Sequence, residues 1–222
     1  MYEAEKEKLK KQTTFTMDDL NLIMKILRAP NGCPWDIEQT HESIVPSLIE
    51  ETYEAVEAIE RSNPEMLKEE LGDVLLQVSF HANISEEAGE FSFSDVVSDV
   101  SQKMIVRHPH VFGDVVAETS GDVLKNWDKI KADTKHQKTL GEKLDSIAKP
   151  LPALVRTQKV MHKAAKEVEV PKMVSSSALT EEEKAIGAAF CEILARCEKA
   201  DLDAETVLRH YCDALIEEIS AQ

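Results

Sequence analysis

Two short acidic clusters dominate the chemistry available to this chain. Glu50-Glu51-Thr52-Tyr53-Glu54 is followed, sixteen residues after Glu54, by Glu70-Leu71-Gly72-Asp73. Each lies within a strongly apolar helical pattern, where a lone ionised carboxylate is costly or takes up a proton. Four or five such groups on adjacent helices repel one another unless a positive charge sits between them. The pattern therefore points to a divalent cation. All the candidate ligands are oxygen donors, which suits Mg²⁺, or Mn²⁺ as a substitute, better than zinc. A carboxylate-bridged di-iron centre needs Glu-x-x-His on two helices. The triplets here are Glu51-x-x-Glu54 and Glu70-x-x-Asp73, so iron is disfavoured.

The elements that must carry these groups are legible from spacing and caps. At about 100° per residue, Glu50, Glu51 and Glu54 share one arc of a helix expected over residues 42–61, with Pro46 tolerated in its first turn. Asn63-Pro64 is an N-cap followed by proline at the first helical position, and it launches a helix to about Glu87. On that helix Leu67, Leu71, Val74, Leu75, Leu76, Val78 and Phe80 wrap most of the circumference, which predicts burial on nearly all sides. Only a stripe of Glu70, Asp73, Gln77 and His81 breaks the wrap. A short turn at Arg61-Ser62-Asn63 would set the two acidic stripes side by side as antiparallel neighbours.

Around this pair, Thr16 with Asp19 forms a variant capping box for a first helix that stops before Ala29-Pro30-Asn31-Gly32. Gly32-Cys33-Pro34-Trp35-Asp36 reads as a compact loop. Ser94 or Ser92 caps a helix ending at Arg107, before His108-Pro109. A short helix is expected around Trp127, a linker over 132–150, and an amphipathic helix over 151–166. A flexible break over 168–178 then precedes helices over 180–199 and 204–220. No convincing strand pair exists, so the predicted class is all-α.

Composition sets further bounds. The 222 residues suit one large domain or two small ones, and no apolar run approaches the twenty residues needed to span a bilayer. The first residues lack an apolar signal core, so no membrane association and a cytoplasmic setting are expected. Cys33, Cys191, Cys197 and Cys212 show no zinc-ligand spacing. A net charge of −16, from 26 basic and 42 acidic residues, argues against a nucleic-acid polymer as partner. A polyphosphate bridged by a cation remains open. Lys103 and Arg107 share a helix face, Trp127 stands beside Lys129 and Lys131, and Trp35 lies in the glycine-proline loop. Taken singly, each reads as a packing anchor or a solvated charge. Beside the acidic site they become candidates for gripping phosphates and stacking on a base.

Taken together, these segments resemble the MazG family of nucleoside triphosphate pyrophosphohydrolases. The match runs through GCPWD (32–36), QTHES (39–43), EETYE (50–54), EELGD (69–73), RHPHVFG (107–113), NWDKIKA (126–132) and LPAL (151–154). The resemblance implies a four-helix-bundle-type core followed by a smaller helical C-terminal part, and assembly as a homodimer or higher homo-oligomer. It implies Mg²⁺-dependent cleavage of an NTP or dNTP between the α and β phosphates, giving NMP and pyrophosphate, in nucleotide-pool house-cleaning. Glu51, Glu54, Glu70 and Asp73 would be the metal ligands and catalytic carboxylates, with Glu50 supporting. Lys103, Arg107, Trp127 and Lys131, with Trp35, would contact substrate. Residues 1–135 would form the active domain. Residues 136–222 would be a linker and a degenerate second copy, since no EExxE precedes its worn counterpart of EELGD. The alternatives are a nucleotide- and metal-binding regulatory module without turnover, or a helical scaffold whose acidic residues serve solubility.

Overall fold

A computed structural model describes residues 2–135 and 139–221, apart from the side chains of 128, 129 and 131–135. The described residues are helices joined by turns, with no strand among them. They fall into two compact units, Met1–Val116 and Ala117–Gln222. The sequence-based boundary at 135/136 lies later, so by contacts the helix around Trp127 groups with the second unit.

The first unit begins with α1 (Glu3–Leu9), a short helix the sequence pattern did not reveal. Thr16 and Asp19 then form a full capping box at the start of α2 (Met17–Arg28). The Asp19 N–H donates to the Thr16 hydroxyl at 3.2 Å, and the Asp19 carboxylate accepts the Thr16 N–H at 2.9 Å. The segment expected to be a loop contains a turn and a half of helix, α3 (Pro34–Glu38). Proline suits its first position, where the missing N–H has no intrahelical partner to lose. Next come α4 (Val45–Glu60), α5 (Pro64–Glu87), α6 (Phe93–Arg107) and α7 (Pro109–Phe112). Ser92, not Ser94, caps α6, in a capping box with Asp95.

The turn between α4 and α5 is a Schellman cap fused to an N-cap. The Asn63 N–H donates to the Ala58 carbonyl at 3.0 Å, and the Ser62 N–H to the Ile59 carbonyl at 3.0 Å. Ser62 occupies the left-handed region at φ 51°, where glycine is usual. Asn63 then accepts the Met66 N–H at 3.2 Å and starts α5. Both helix ends are satisfied within three residues, which leaves no slack for the hairpin to slip.

α5 is the hub, packing against α4, α2 and α6. Met24, Ile44 and Phe80 form the buried core, with Leu27, Leu76 and Ile84 around them. The expectation that leucines and valines bury α5 on nearly all sides needs correction. Leu71 is 54% exposed, because three neighbouring helices cannot cover the whole circumference of a 24-residue helix. The most buried α5 residues are Glu70, Gln77, Ser79, Phe80, Ala82, Asn83 and Ser85. Polar groups thus hold most of the innermost positions.

One arginine joins several parts of this unit. Arg28, at the end of α2, grips the Glu87 carboxylate through Nε and Nη2 at 2.8 and 2.7 Å. Its Nη1 donates to the Asp36 and Gln39 carbonyls at 2.5 and 3.3 Å. The guanidinium also stands 5.4 Å from the Phe80 ring centroid, a cation–π distance. Just before α3, Gly32 passes so close to the end of α2 that a Cβ there would lie 2.1 Å from the Leu27 carbonyl oxygen. Only glycine permits that path.

In the second unit, α10 (Ala153–Ala164) packs against α9 (Leu140–Asp145), α11 (Glu181–Lys199) and α12 (Ala204–Ser220). α9 lies inside the stretch expected to be linker. α8 (Ser120–Lys135) is longer than the short helix expected around Trp127. Gln158 holds the α11–α12 turn from both sides, donating to the Leu202 carbonyl at 2.9 Å and accepting the Ala204 N–H at 3.1 Å.

The left-handed serine generates a test. Ser62→Gly should raise unfolding free energy by up to about 1 kcal/mol in urea titration, because a non-glycine residue costs roughly 1–2 kcal/mol there before glycine's entropy is deducted. Ser62→Val should lower it by at least about 1 kcal/mol. Equal stability of all three proteins would contradict the turn geometry.

Candidate metal centre

The α4–α5 hairpin brings carboxylates from both helices to one point. An oxygen from each of Glu51, Glu70 and Asp73 lies within 4.8 Å of the others. Glu70 is 8% exposed, while Glu51 and Asp73 are half-buried. Burial, then the charges of Asp73 and Glu54, hold the Glu51 carboxyl above the ordinary carboxylate range. Burial, then the charge of Glu54 and those of Glu69, Asp73 and Glu51, do the same for Glu70. Burial is the larger cause in both, and the neighbouring like charges add to it.

The cluster fits a hard divalent cation. All three donors are carboxylate oxygens, the donor type that Mg²⁺ and Mn²⁺ take. Glu54, one turn beyond Glu51, is half-buried and outside the group of three, yet close enough to raise both Glu51 and Glu70. Glu50 is exposed, and its charge is the last of the influences acting on Glu51.

The remaining sequence-predicted residues are more dispersed. Lys103 is exposed on α6, and Arg107 is half-buried in its last turn. Trp35 is 60% exposed, with its ring edge-on to Phe80 at 6.4 Å between centroids. Trp127 is half-buried in α8, in the second unit. The side chain of Lys131 lies outside the described residues.

Sequence reasoning missed a histidine pair. His41 and His81 lie edge to edge in nearly one plane, centroids 5.1 Å apart with 6° between planes, and their Nδ1 atoms face each other at 2.8 Å. His41 Nε2 also meets the Ser85 hydroxyl at 3.2 Å. Burial, then His41, hold the His81 ring below its ordinary pKa, which favours the neutral form. His81 stands on the same stripe of α5 as the carboxylates, a visible signal. Its partner, forty residues away in sequence, is not.

Fold and site together define an all-α domain with a cluster of three carboxylates whose donor chemistry suits a divalent cation. Residues 39–112 match the family model described as the MazG nucleotide pyrophosphohydrolase domain, and this segment of the chain belongs to that family. The chain is 47% identical over 150 residues to a nucleoside triphosphate pyrophosphohydrolase of Escherichia coli, covering 67% of this chain and 57% of the relative. It is 46% identical over 155 residues to a Thermotoga maritima protein named nucleoside triphosphate pyrophosphohydrolase/pyrophosphatase MazG, covering 70% and 59%. It is also 51% identical over 140 residues to the Bacillus subtilis protein YabN, covering 62% and 28%. The match thus spans little more than half the length of the first two relatives, and less of the third.

The carboxyl shifts dictate a pH response. A carboxyl raised in the folded state holds a proton that the unfolded chain has released. Its contribution to stability therefore falls as pH rises from the ordinary value of 4.5 through the raised value. A cation must displace the same protons, so its binding strengthens over that window. The rise in melting temperature on adding Mg²⁺ should thus be larger at pH 7.5 than at pH 5. Glu70→Gln should stabilise the cation-free protein at pH 7.5 and abolish the Mg²⁺ increment. A Mg²⁺ increment that persists in Glu70→Gln would remove that residue from the centre.

Proposed function

We propose that this chain is a Mg²⁺-dependent nucleoside triphosphate pyrophosphohydrolase that cleaves NTPs or dNTPs between the α and β phosphates and serves nucleotide-pool house-cleaning in the cytoplasm. The observation that carries the reading is the convergence of Glu51, Glu70 and Asp73 within a MazG domain. The names of the E. coli and T. maritima relatives support it. When bound, Mg²⁺ supplies charge neutralisation on the phosphates and a more acidic water. Glu51, Glu70 and Asp73 hold the cation in this reading, and Glu54 completes the acidic wall beside them. Glu50, exposed on the rim, lends charge without entering the inner group. Lys103 and Arg107, spaced four residues apart on α6, are assigned to phosphate oxygens the cation does not reach. By motif alone, the NWDKIKA resemblance also assigns Trp127 and Lys131 to substrate.

We assign the active form to a homodimer or higher homo-oligomer. The exposed large apolar residues include Ile49, Ile59 and Leu71 on the hairpin itself. A second subunit would cover such surface. Among the described residues no helix is long and apolar enough to cross a membrane.

Pyrophosphate release from a panel of canonical and modified NTPs and dNTPs tests the reading. Release should require Mg²⁺ or Mn²⁺ and fall about a hundredfold or more in Asp73→Asn and Glu54→Gln. Full turnover by folded forms of these variants would refute the site. Tight Mg²⁺-dependent nucleotide binding with no product would mark a regulatory module instead. Light scattering should return a mass of at least two chains.

A further inference from the structure

We propose that the cleft between α10, α11 and the 171–179 segment of the second unit binds a medium-chain aliphatic carboxylate, its chain against the apolar walls and its head paired with Lys172. None of the lining residues falls within 39–112, so the inference stands apart from the reading of the metal centre.

The cleft encloses about 360 Å³, a volume typical of small-molecule sites. Leu154 of α10, Met173, Val174 and Leu179 of the connecting segment, and Phe190 and Leu194 of α11 make its walls apolar. Leu194 is buried, but Met173, Val174 and Phe190 remain about half exposed. Such walls gain when an apolar body displaces water from them.

A glycine keeps the space open. Gly187 lines the cleft from the interior of α11, and a Cβ placed there would meet no atom within 4 Å. Glycine inside a helix is a liability beside alanine, and no close packing requires it here. α11 thus accepts a weaker helical residue at the point where a side chain would take up room in the cleft.

The charged residues of the lining decide the head group. Glu183 is engaged at the start of α11, accepting the Thr180 N–H at 2.7 Å and the Thr180 hydroxyl at 2.8 Å. Lys184 is paired with Glu181 at 2.7 Å. Lys172 alone of the three has no ion-pair or hydrogen-bond partner among the described residues. One unpaired ammonium beside apolar walls complements a molecule with an apolar body and a single negative charge. A carboxylate meets that description, whereas a neutral head leaves the cation unanswered and a cationic head is repelled by it.

The test titrates the full chain with decanoate, decanol and decylammonium, each below its micelle concentration, and follows alkylation of each cysteine by peptide mass mapping. Cys191 lines the cleft, and Cys33, Cys197 and Cys212 do not. Decanoate should slow the alkylation of Cys191 alone. Protection should require least decanoate, more decanol and most decylammonium, an order opposed to the net charge of −16. Lys172→Met should weaken decanoate about threefold and bring it level with decanol. Gly187→Leu should abolish protection by all three; Gly187→Ala, which should weaken all three alike, serves if the leucine variant fails to fold. Protection of every cysteine, decanol equal to or better than decanoate, or protection that survives Gly187→Leu would each overturn the proposal. Protection of Cys191 by raised protein concentration alone, with a lower mass of Gly187→Leu in light scattering, would assign the cleft to a second copy and overturn it too.

Discussion

Three carboxylates within 4.8 Å of one another repel, and the first unit is arranged so that they cannot move apart. α4 and α5 are joined by a turn in which every residue has a fixed task. Ser62 reverses the chain, and Asn63 closes one helix while opening the next. α2 and α6 brace α5 from other directions. Burial first, and then the neighbouring charges, displace Glu51 and Glu70 toward protonation. Removing the hairpin constraint would let the side chains separate and disperse the cluster.

The same demand explains the composition of α5. A helix at the centre of a small unit would ordinarily bury leucine and valine. Here Glu70, Gln77, Ser79, Asn83 and Ser85 take the innermost positions. Some of these groups are satisfied locally: Asn83 donates to the Ser79 carbonyl at 2.8 Å and to Asn21 at 2.9 Å. Apolar cohesion is moved to Met24, Ile44 and Phe80. Arg28 ties α2, the segment at Asp36 and Gln39, and the far end of α5 together with charge-assisted bonds.

Features encoded by neighbours in the chain were legible from the sequence. The Thr16 capping box, the Asn63 cap, the stop at Arg107 and the pairing of the acidic stripes all follow from spacings of a turn or two. α1 and α9 escaped because they are short and lack a strong apolar stripe. α3 escaped because glycine and proline punctuate it, although proline is a good first helical residue. The extent of burial on α5 was misjudged because periodicity reports what a helix can bury, not how many neighbours it has. The sequence resemblance groups Glu51, Glu54, Glu70 and Asp73 with Glu50 in support; the geometry draws Glu51, Glu70 and Asp73 within 4.8 Å and leaves Glu54 outside that group. Arg28 with Glu87 and His41 with His81 join residues 59 and 40 positions apart. No local pattern announces such partners.

The paired imidazoles carry a consequence of their own. If both rings are neutral, their facing nitrogens, 2.8 Å apart, share a single hydrogen between them. Suppose His41 supplies it. Then its other nitrogen must accept from Ser85, and the outer nitrogen of His81 bears a hydrogen to give. If His81 supplies it, Ser85 becomes the acceptor, and that outer nitrogen offers a lone pair. The run Ser85–His41–His81 is therefore a wire with two opposed polarities and no net charge in either. Reversing it would turn the buried end of the wire from donor to acceptor without moving a heavy atom.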